Sequence, residues 1–406
     1  MKLASLLLAG VAFAATTGMA AAEDLKAEVF TSWTTGGELK AADAIKQAFE
    51  ARGGTWETSS VAGFENANAA FQNRMMAGDP PAAKQVVIGM EQREYIDGGL
   101  YMPITKVAEA GHWADVMPKA IYDNVTFDGE VYEVPTGIHG ESWMFYSMAA
   151  FKKAGIEAAP ADWDSFFADM DKLKAAGLTP IAWGGQSWQE TKVFNMILLS
   201  QVGLDGFRKI YIDRDAAAIK SEGVRKTLEI FGKLRGYIDE GAAGRNWNDA
   251  TAMVIKGTAG VQFMGDWAKG EFSNAGETAG VDYGCALAPA SPGMIYIGDA
   301  FAFPNLKGAE AAQDLLAEVV MDPKVQVAFS LAKGSIPVRT DVDTSQFDVC
   351  TQQAITLMND GKIVPEHAIT LTLEQTGMLT DFVGDFFSNP EADLDDAMES
   401  FAEVFE

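Results

Sequence analysis

Short apolar runs alternate with segments of helical periodicity along nearly the whole chain. The runs at 28–30, 85–88, 179–183 and 259–264 each have the length of a buried strand. Between them, apolar residues recur every three or four positions, as in the segment 39–49. Because strands and helices alternate, we expect an α/β fold built on mostly parallel sheets with helices on both faces.

The chain is too long for a single core, yet its two halves are not separated by a linker. Its 406 residues exceed the size at which one hydrophobic core stops growing, and no long polar or low-complexity stretch interrupts them. Two lobes joined by crossing strands satisfy both facts. The hydrophobic stretches 134–138 and 296–304 are the candidate crossings, and a pair of crossings would form a hinge.

The first residues predict export. Lys2 precedes an apolar stretch at 3–15, and the small residues Ala20-Ala21-Ala22 follow it. This order is typical of a secretory signal peptide. We therefore expect residues 1–22 to be a signal peptide that is cleaved near Ala22, and the mature protein to work in the periplasm. A lipid anchor is disfavoured because no cysteine stands at the processing site.

Charge and motif content exclude several classes of function. A formal net charge of −26 argues against binding to nucleic acid or to an anionic bilayer. The chain has three widely spaced histidines, and no two cysteines stand close together in the sequence as zinc ligands do. Both facts disfavour a tetrahedral zinc site. The common hydrolase and phosphate-loop motifs are missing from the sequence. We expect neither a metal nor a cofactor.

The stretch from Ala259 to Trp267 predicts a binding site at the end of a strand. An apolar run ends at Gly265, and Asp266 and Trp267 follow directly. Open α/β sheets bind their ligands at the carboxyl ends of the strands. A carboxylate beside an indole suits a ligand with one apolar face and many hydroxyls. The alternative is a core tryptophan, with Asp266 supporting the wall instead of contacting a ligand.

The nine tryptophans divide by sequence context. Five lie in apolar or helical patterns and are predicted to pack in the core: Trp56, Trp113, Trp143, Trp163 and Trp183. Four stand in polar, Gly-containing or element-terminal settings: Trp33, Trp188, Trp247 and Trp267. Pyranose rings pack a C–H face against indole while their hydroxyls need polar partners. The second group therefore points to a sugar, although packing is the competing interpretation for each indole alone.

Polar residues accompany these tryptophans. Glu38 follows Trp33, Gln186 precedes Trp188, and Asp299 and Lys333 stand where a strand and a helix are predicted to end. Charged groups form the stronger hydrogen bonds and can fix the orientation of hydroxyls. Glu38 could instead cap the helix that it opens, where an acid favours the helix dipole, and both roles are compatible.

With these residues in this order, the chain resembles a known family. This family is the periplasmic solute-binding proteins of carbohydrate ABC importers, of the maltose-binding/glycerol-phosphate-binding type. More narrowly, it is similar to glucose- and mannose-binding members from Gram-negative bacteria. The resemblance covers essentially the whole mature chain. Its motifs lie at 33–38, 77–81, 138–139, 184–189, 249–257, 264–269 and 333–339.

The resemblance implies two α/β lobes that close on a ligand in the cleft between them. The first lobe would comprise 23–135 plus 298–342, and the second 136–297 plus 343–406. Cys285 and Cys350 match a cysteine pair of glucose-binding relatives, with two buried thiols as the alternative. The implied ligand-binding residues are Trp33, Glu38, His139, Gln186, Trp188, Trp247, Trp267, Asp266, Asp299, Lys333 and His367.

Some positions depart from the family pattern. Ser32 stands where relatives commonly carry a second tryptophan, and Gly137 and Gly140 flank His139 where relatives carry polar side chains. Glucose is therefore not implied, and another hexose, a pentose or a small oligosaccharide is possible.

We expect a monomeric, non-enzymatic protein that captures a sugar, most simply a monosaccharide, and delivers it to a membrane permease. The alternatives are a secreted glycoside-active enzyme, which requires a suitably spaced carboxylate pair, and a binding protein for a non-sugar solute.

Overall fold

The structure, a computed structural model, describes residues 25–406. The predicted signal peptide and its cleavage near Ala22 lie outside the described residues. Within the described range the chain forms twelve β-strands: β1 (Lys26–Thr31), β2 (Thr55–Ser60), β3 (Ala83–Val87), β4 (Thr126–Phe127), β5 (Glu130–Val131), β6 (Glu133–Gly140), β7 (Trp143–Ser147), β8 (Thr179–Ile181), β9 (Ala259–Met264), β10 (Tyr283–Leu287), β11 (Met294–Ala302) and β12 (Ile363–Pro365).

Helices fill most of the intervening chain. Residues 25–406 contain nineteen α-helices: α1 (Gly36–Ala51), α2 (Phe64–Ala77), α3 (Arg93–Asp97), α4 (Thr105–Ala110), α5 (Trp113–Val116), α6 (Lys119–Asn124), α7 (Met148–Ala154), α8 (Trp163–Ala175), α9 (Ser187–Tyr211), α10 (Ala216–Ile219), α11 (Glu222–Leu234), α12 (Trp247–Ile255), α13 (Ala268–Asn274), α14 (Glu310–Val320), α15 (Pro323–Lys333), α16 (Val349–Asn359), α17 (His367–Thr370), α18 (Leu373–Ser388) and α19 (Leu394–Glu403). Short 3₁₀ turns occur at Met90–Gln92 and Arg235–Tyr237.

Two sheets organise the lobes. The larger has six strands, with β12, β11, β3, β1 and β2 in that order and β6 attached to β11. The smaller has four strands in the order β10, β7, β9, β8. Each sheet is covered by helices, so the α/β class predicted from the alternation is confirmed.

The expectation of mostly parallel sheets is wrong, because both sheets are mixed. In the larger sheet β11 runs antiparallel to β3 and to β6. In the smaller one β7 runs antiparallel to both β9 and β10, while β8 and β9 are parallel. Strand direction depends on how the chain returns from one lobe to the other, and the local apolar pattern does not record that path.

The two predicted crossings are long strands that pair with each other. β6 and β11 are antiparallel from the Tyr296–Gly140 pair to the Ala302–Glu133 pair, with a register shift between Asp299 and Ala300. The first half of β11 also pairs with β12, and its second half with β3. A two-stranded connection of this kind suits a hinge. The exact lobe boundaries, 23–135 plus 298–342 and 136–297 plus 343–406, stay a prediction.

Local sequence signals account for several element ends. The Asp162 carboxylate accepts a hydrogen bond from the Ser165 backbone N–H at 2.8 Å and so caps the start of α8. Gly78 ends α2 in the left-handed conformation. Gly203, with φ of 72°, kinks α9. α9 thus runs on both sides of the kink, from Ser187 to Tyr211.

Two large hydrophobic clusters form most of the interior of the described chain. One contains side chains such as Phe30, Ile45 and Phe301, and the other contains Phe194 and Phe231. All five tryptophans predicted to be core residues are buried: Trp56, Trp113, Trp143, Trp163 and Trp183.

Cys285 and Cys350 form a disulfide that joins β10 to α16. The alternative of two separate thiols is therefore excluded. No helix among residues 25–406 combines the length and apolar character that a bilayer span requires.

Candidate functional site

A cavity of about 520 Å³ brings ten of the eleven predicted site residues together. This volume falls within the usual range for small-molecule sites. The lining of the cavity includes residues of strands β3, β6 and β11 of the larger sheet, of helices α1, α2, α9, α12, α15, α17 and α18, and Trp267 in the turn before α13. The predicted residues among its lining are Trp33, Glu38, His139, Gln186, Trp188, Trp247, Trp267, Asp299, Lys333 and His367.

Three half-buried indoles, Trp188, Trp247 and Trp267, belong to the apolar part of the lining. The ring centroids of Trp188 and Trp267 are 6.3 Å apart, and the Trp267 ring meets the His139 imidazole edge-on at 5.5 Å. Partial exposure leaves ring surface free to contact a solute, as a stacking role requires.

Trp33 combines the two interpretations offered for a tryptophan. It lines the cavity, yet it is only 1 % exposed. Its ring packs against Phe301 and Phe329 at centroid distances of 5.7 and 5.5 Å, and its indole N–H has no hydrogen-bond partner among the described residues. Trp33 is therefore a core residue whose edge borders the cavity.

The local backbone explains how Trp267 reaches the lining. β9 ends at Met264, and the Asp266 N–H then donates a hydrogen bond to the Gly140 carbonyl at 2.9 Å. Gly265 is required between them, because a Cβ at this position would lie 2.1 Å from the Trp267 ring. α13 begins directly after the tryptophan. The strand end thus presents the indole to the cavity, as the apolar run followed by glycine predicts.

A charged cluster lies beside the indoles. Lys333 Nζ is 3.5 Å from Glu38 Oε1 and 3.7 Å from Asp299 Oδ2, and His139 Nε2 is 3.3 Å from the same Asp299 oxygen. Burial works to raise the pKa of Asp299, but Lys333 and His139 hold that pKa at about 2. Asp299 is therefore an ionised acceptor throughout the neutral range.

The structure confirms the capping role that sequence context suggested for Glu38. Glu38 Oε2 accepts hydrogen bonds from the backbone N–H groups of Thr34 and Thr35 at 3.0 and 3.2 Å. Its other oxygen, Oε1, faces Lys333. One carboxylate oxygen thus holds the start of α1, while the second belongs to the charged cluster.

Asp266 is the predicted residue that does not line the cavity. Its Oδ1 is 2.6 Å from His139 Nδ1, and its Oδ2 accepts from the Gly140 N–H at 2.9 Å. Burial works to lower the pKa of His139, but Asp266 and then Asp299 raise it above its ordinary value. Asp266 therefore orients the His139 imidazole from behind, which is the supporting role left open by the sequence.

The mouth of the cavity is held by an amide network. Gln186 Nε2 donates to Asn246 Oδ1 at 2.9 Å, and Gln186 Oε1 accepts from the Trp188 indole N–H at 3.0 Å and from Gln189 Nε2 at 2.8 Å. Gln186 therefore fixes the Trp188 ring as well as lining the cavity.

A second charged group, which the sequence patterns did not single out, lies elsewhere in the lining. Lys192 Nζ is 2.5 Å from Glu141 Oε1 and 3.5 Å from Glu366 Oε1. His367 Nδ1 is 2.5 Å from the same Glu366 oxygen. Burial works to raise the pKa of Glu366, but His367 and Lys192 hold it low. Burial raises the pKa of Glu141 to about 7 against the opposing effect of Lys192.

Comparison with known proteins decides the family. The model of the bacterial extracellular solute-binding protein family matches residues 33–320. The chain belongs to this family. It is therefore a solute-binding protein of a non-enzymatic class, and the family's description agrees with the expected export.

Individual relatives agree with this assignment. A protein of Brucella melitensis named "Probable sugar-binding periplasmic protein" is 39 % identical over 353 residues, which cover 86 % of this chain and 82 % of the relative. A solved chitin oligosaccharide binding protein superposes with a TM-score of 0.80 at 18 % identity, covering 95 % of this chain and all of the other. A bacterial solute receptor described as preferring β-D-galactopyranose gives a TM-score of 0.77 at 20 % identity, covering 94 % and 96 % of the two chains.

These matches confirm the two-lobed α/β fold and the family resemblance. The narrower similarity to glucose- and mannose-binding members stays a prediction. Among residues 25–406, no three His, Cys, Asp or Glu side chains are grouped so as to hold a metal ion.

The sequence patterns did not predict the second charged group, which contains Lys192, Glu141 and Glu366, for reasons that can be identified. Lys192 stands in a helix whose apolar residues dominate the pattern, and Glu141 follows a strand without any motif. A signal was present at Glu366-His367, where an acid adjoins a histidine that the family resemblance had singled out. These residues lie far apart in sequence, so their convergence depends on the pairing of β11 with both β6 and β12.

Proposed function

We propose that this solute-binding protein captures a sugar, most simply a monosaccharide, in the 520 Å³ cavity and delivers it to an ABC importer permease. The main support for a sugar ligand is that half-buried indoles lie beside the charged cluster of Glu38, Lys333, Asp299 and His139. An indole face contacts the C–H surface of a pyranose, while carboxylates and a lysine bond the hydroxyls at its edge.

The proposed contacts come from the residues that line this cavity. Trp267 and Trp188 stack on the ring, while Asp299 accepts and Lys333 donates hydrogen bonds to hydroxyls. Asp266 acts indirectly, by orienting His139. The Brucella melitensis relative named as sugar-binding and the galactopyranose receptor support the choice of a sugar. The identity of the sugar is a finer question, and hexoses and pentoses are both candidates.

A non-sugar solute is less well supported. A phosphate-bearing ligand would need several basic groups, whereas Lys192 and Lys333 are the lysines of the lining and each already faces carboxylates. A linear polyamine would leave Lys333 unexplained, because it offers no hydroxyl or other acceptor to the Lys333 ammonium group.

The proposed setting is the periplasm, where the mature protein would act as a monomer. Indoles and polar groups from both sides of one cavity favour a closed form when sugar is present, since only contacts that differ between two forms can shift their equilibrium. The closed form would then be the one that the permease recognises.

Isothermal titration against a panel of monosaccharides and disaccharides tests the proposal. We expect one or a few monosaccharides to bind with 1:1 stoichiometry and the disaccharides to bind more weakly. Silence across the whole panel would refute a sugar ligand, and tightest binding of a disaccharide would refute the monosaccharide assignment.

A further inference from the structure

Glu91 is a cavity-lining carboxyl group without a hydrogen-bond or ion-pair partner in the described part of the chain. It lies in the 3₁₀ turn Met90–Gln92 and is 8 % exposed. Within residues 25–406, no side chain or backbone group forms a hydrogen bond or an ion pair with its carboxylate. A buried carboxyl group without a partner is costly, so its presence at a binding cavity points to a partner supplied by the solute.

The neighbouring charges do not compensate Glu91. Two lysines lie near Glu91. Lys192 already pairs with Glu141 and Glu366, and Lys84 Nζ bonds to Asn68 Oδ1 and to the Gln85 carbonyl. His367 is likewise engaged with Glu366. The Lys192 ammonium group and the His367 imidazole thus contact two carboxylates, Glu141 and Glu366, and Glu91 is a third carboxyl group that neither of them contacts. The cavity end formed by Glu91, Glu141, Glu366, Lys192 and His367 is called the acidic pole below.

The balance of charge over the whole lining has the same sign. Two lysines, Lys192 and Lys333, face a larger number of carboxyl groups, which are Glu38, Glu65, Glu91, Glu141, Asp299, Glu366 and Asp381. The cavity is therefore set up to stabilise a positive charge and to repel an anion.

The acidic pole also lies close to aromatic rings. Lys192 Nζ is 5.9 Å from the Trp188 ring centroid and 5.8 Å from that of Trp267. Ring faces at this distance attract cations. A positively charged group on a sugar that stacks against these indoles would meet both the rings and the acidic pole.

The effect of burial on the pKa of Glu91 is consistent with a carboxyl group whose positive partner comes from the solute. Burial raises the pKa of Glu91 to about 7, and Glu366 adds to this, while Lys192 and Lys84 oppose it. Without a solute, the carboxyl group is thus partly protonated near neutral pH. A cation beside it would favour the ionised form.

We propose that the sugar bound by this protein carries a protonated amino group and that Glu91 forms an ion pair with it. The proposal rests on the sugar-binding function above and specifies its ligand as an amino sugar. The hydroxyls of the sugar bond to Asp299, Lys333 and His139, while the ammonium group occupies the acidic pole.

Titration of matched sugar pairs at pH 7 tests the proposal. The probes are glucosamine against glucose, galactosamine against galactose and mannosamine against mannose, with each N-acetyl derivative as an uncharged third member. We expect the amino sugar of at least one pair to bind ten times or more tightly than both its neutral parent and its N-acetyl derivative. Neutral sugars that bind as tightly as their amino counterparts would overturn the amino-sugar proposal and leave the sugar-binding function intact, whereas silence from every member would overturn both.

Two glutamate variants locate the effect. Glu91→Gln should lower the affinity for the amino sugar about tenfold and change that for the neutral parent less than threefold, so that the preference disappears. Glu65→Gln is the matched control, because Glu65 lines the same cavity but is exposed to solvent, and it should keep the preference. A preference that persists in folded Glu91→Gln would overturn the role of Glu91. If that variant does not fold, the wild-type comparison of amino, neutral and N-acetyl sugars still decides the ligand class.

Discussion

Trp267 and Trp56 show how the same side chain takes different roles. Trp56 is 8 % exposed, donates its indole N–H to Thr58 Oγ1 at 2.8 Å and packs edge-on against Phe49. Trp267 is half-buried and faces the cavity. Sequence context separates these two indoles, because Trp267 stands two residues after Gly265 at a predicted strand end, whereas Trp56 is assigned to an apolar or helical pattern.

Replacing each tryptophan with alanine should therefore affect different quantities. Trp267→Ala is expected to weaken sugar binding by roughly ten- to a hundredfold, or about 1.4–2.7 kcal/mol, since a stacking surface is removed. Trp56→Ala should leave affinity nearly unchanged and lower the free energy of unfolding by about 3–5 kcal/mol. Calorimetric titration and urea unfolding of both variants measure the two effects. Equal affinities in the two folded variants would remove Trp267 from the site.

Asp299 couples the site to stability through its charge. Its pKa is about 2 in the folded protein, against an ordinary value of 3.8. Because the folded value is depressed, the stabilisation is present above the unfolded pKa and is lost as the pH falls from about 4 towards 2. The full effect corresponds to about 2 kcal/mol.

The Asp299→Asn variant isolates this contribution. We expect the difference in unfolding free energy between wild type and variant to be constant from about pH 7 to 5 and to shrink as the pH falls towards 3. Sugar affinity at pH 7 should fall at least tenfold, because Lys333 and His139 lose their charged partner. Denaturant unfolding at several pH values and one titration suffice. A stability difference that does not change with pH would contradict the low pKa of Asp299.

At the scale of elements, the apolar runs predict where strands lie, but they do not predict which strands pair with each other. β9 begins and ends where the run 259–264 does. β11, at Met294–Ala302, covers most of the crossing predicted at 296–304, and it pairs there with both β6 and β3. Glu91 could not be recognised as a site residue either, since its significance lies in the groups brought near it from distant parts of the chain. Local pattern determines which segments form elements, whereas their pairing depends on long-range contacts.

The disulfide ties two such elements together, so its removal should affect stability alone. Cys285 in β10 and Cys350 in α16 are 65 residues apart in sequence, and closing a loop of this length contributes about 4 kcal/mol in the chain-entropy model. The double variant Cys285→Ser, Cys350→Ser should unfold at lower urea concentration than wild type. Sugar affinity should change less than twofold, because neither cysteine lines the cavity. Reductant should destabilise the wild type and leave the double variant unaffected, and a large loss of affinity in that variant would contradict a purely structural role.

For the whole molecule, the crossing of β6 and β11 beside the cavity links binding to shape. Asp299 lies on β11 at the register shift opposite β6, so a residue of the charged cluster stands on the connection that would bend. A β-bulge at such a point locally disrupts pairing and re-aims a side chain. We therefore expect the two lobes to rotate about these strands when a sugar bridges Trp267 and Lys333.

Small-angle X-ray scattering measures this closure directly. A compact chain of this size has a radius of gyration of about 21 Å, and we expect a smaller value at saturating sugar than without it. Moving a two-state population from 1:99 to 99:1 requires about 5.5 kcal/mol of differential binding, so loss of one strong contact should leave closure incomplete. Trp267→Ala saturated with sugar should therefore retain a larger radius than saturated wild type, while Trp56→Ala should match wild type. Calorimetry can show that the site of the wild type is saturated. If the radius of gyration of the saturated protein is then unchanged, the cavity binds its solute without closing, and the hinge role of β6 and β11 is refuted.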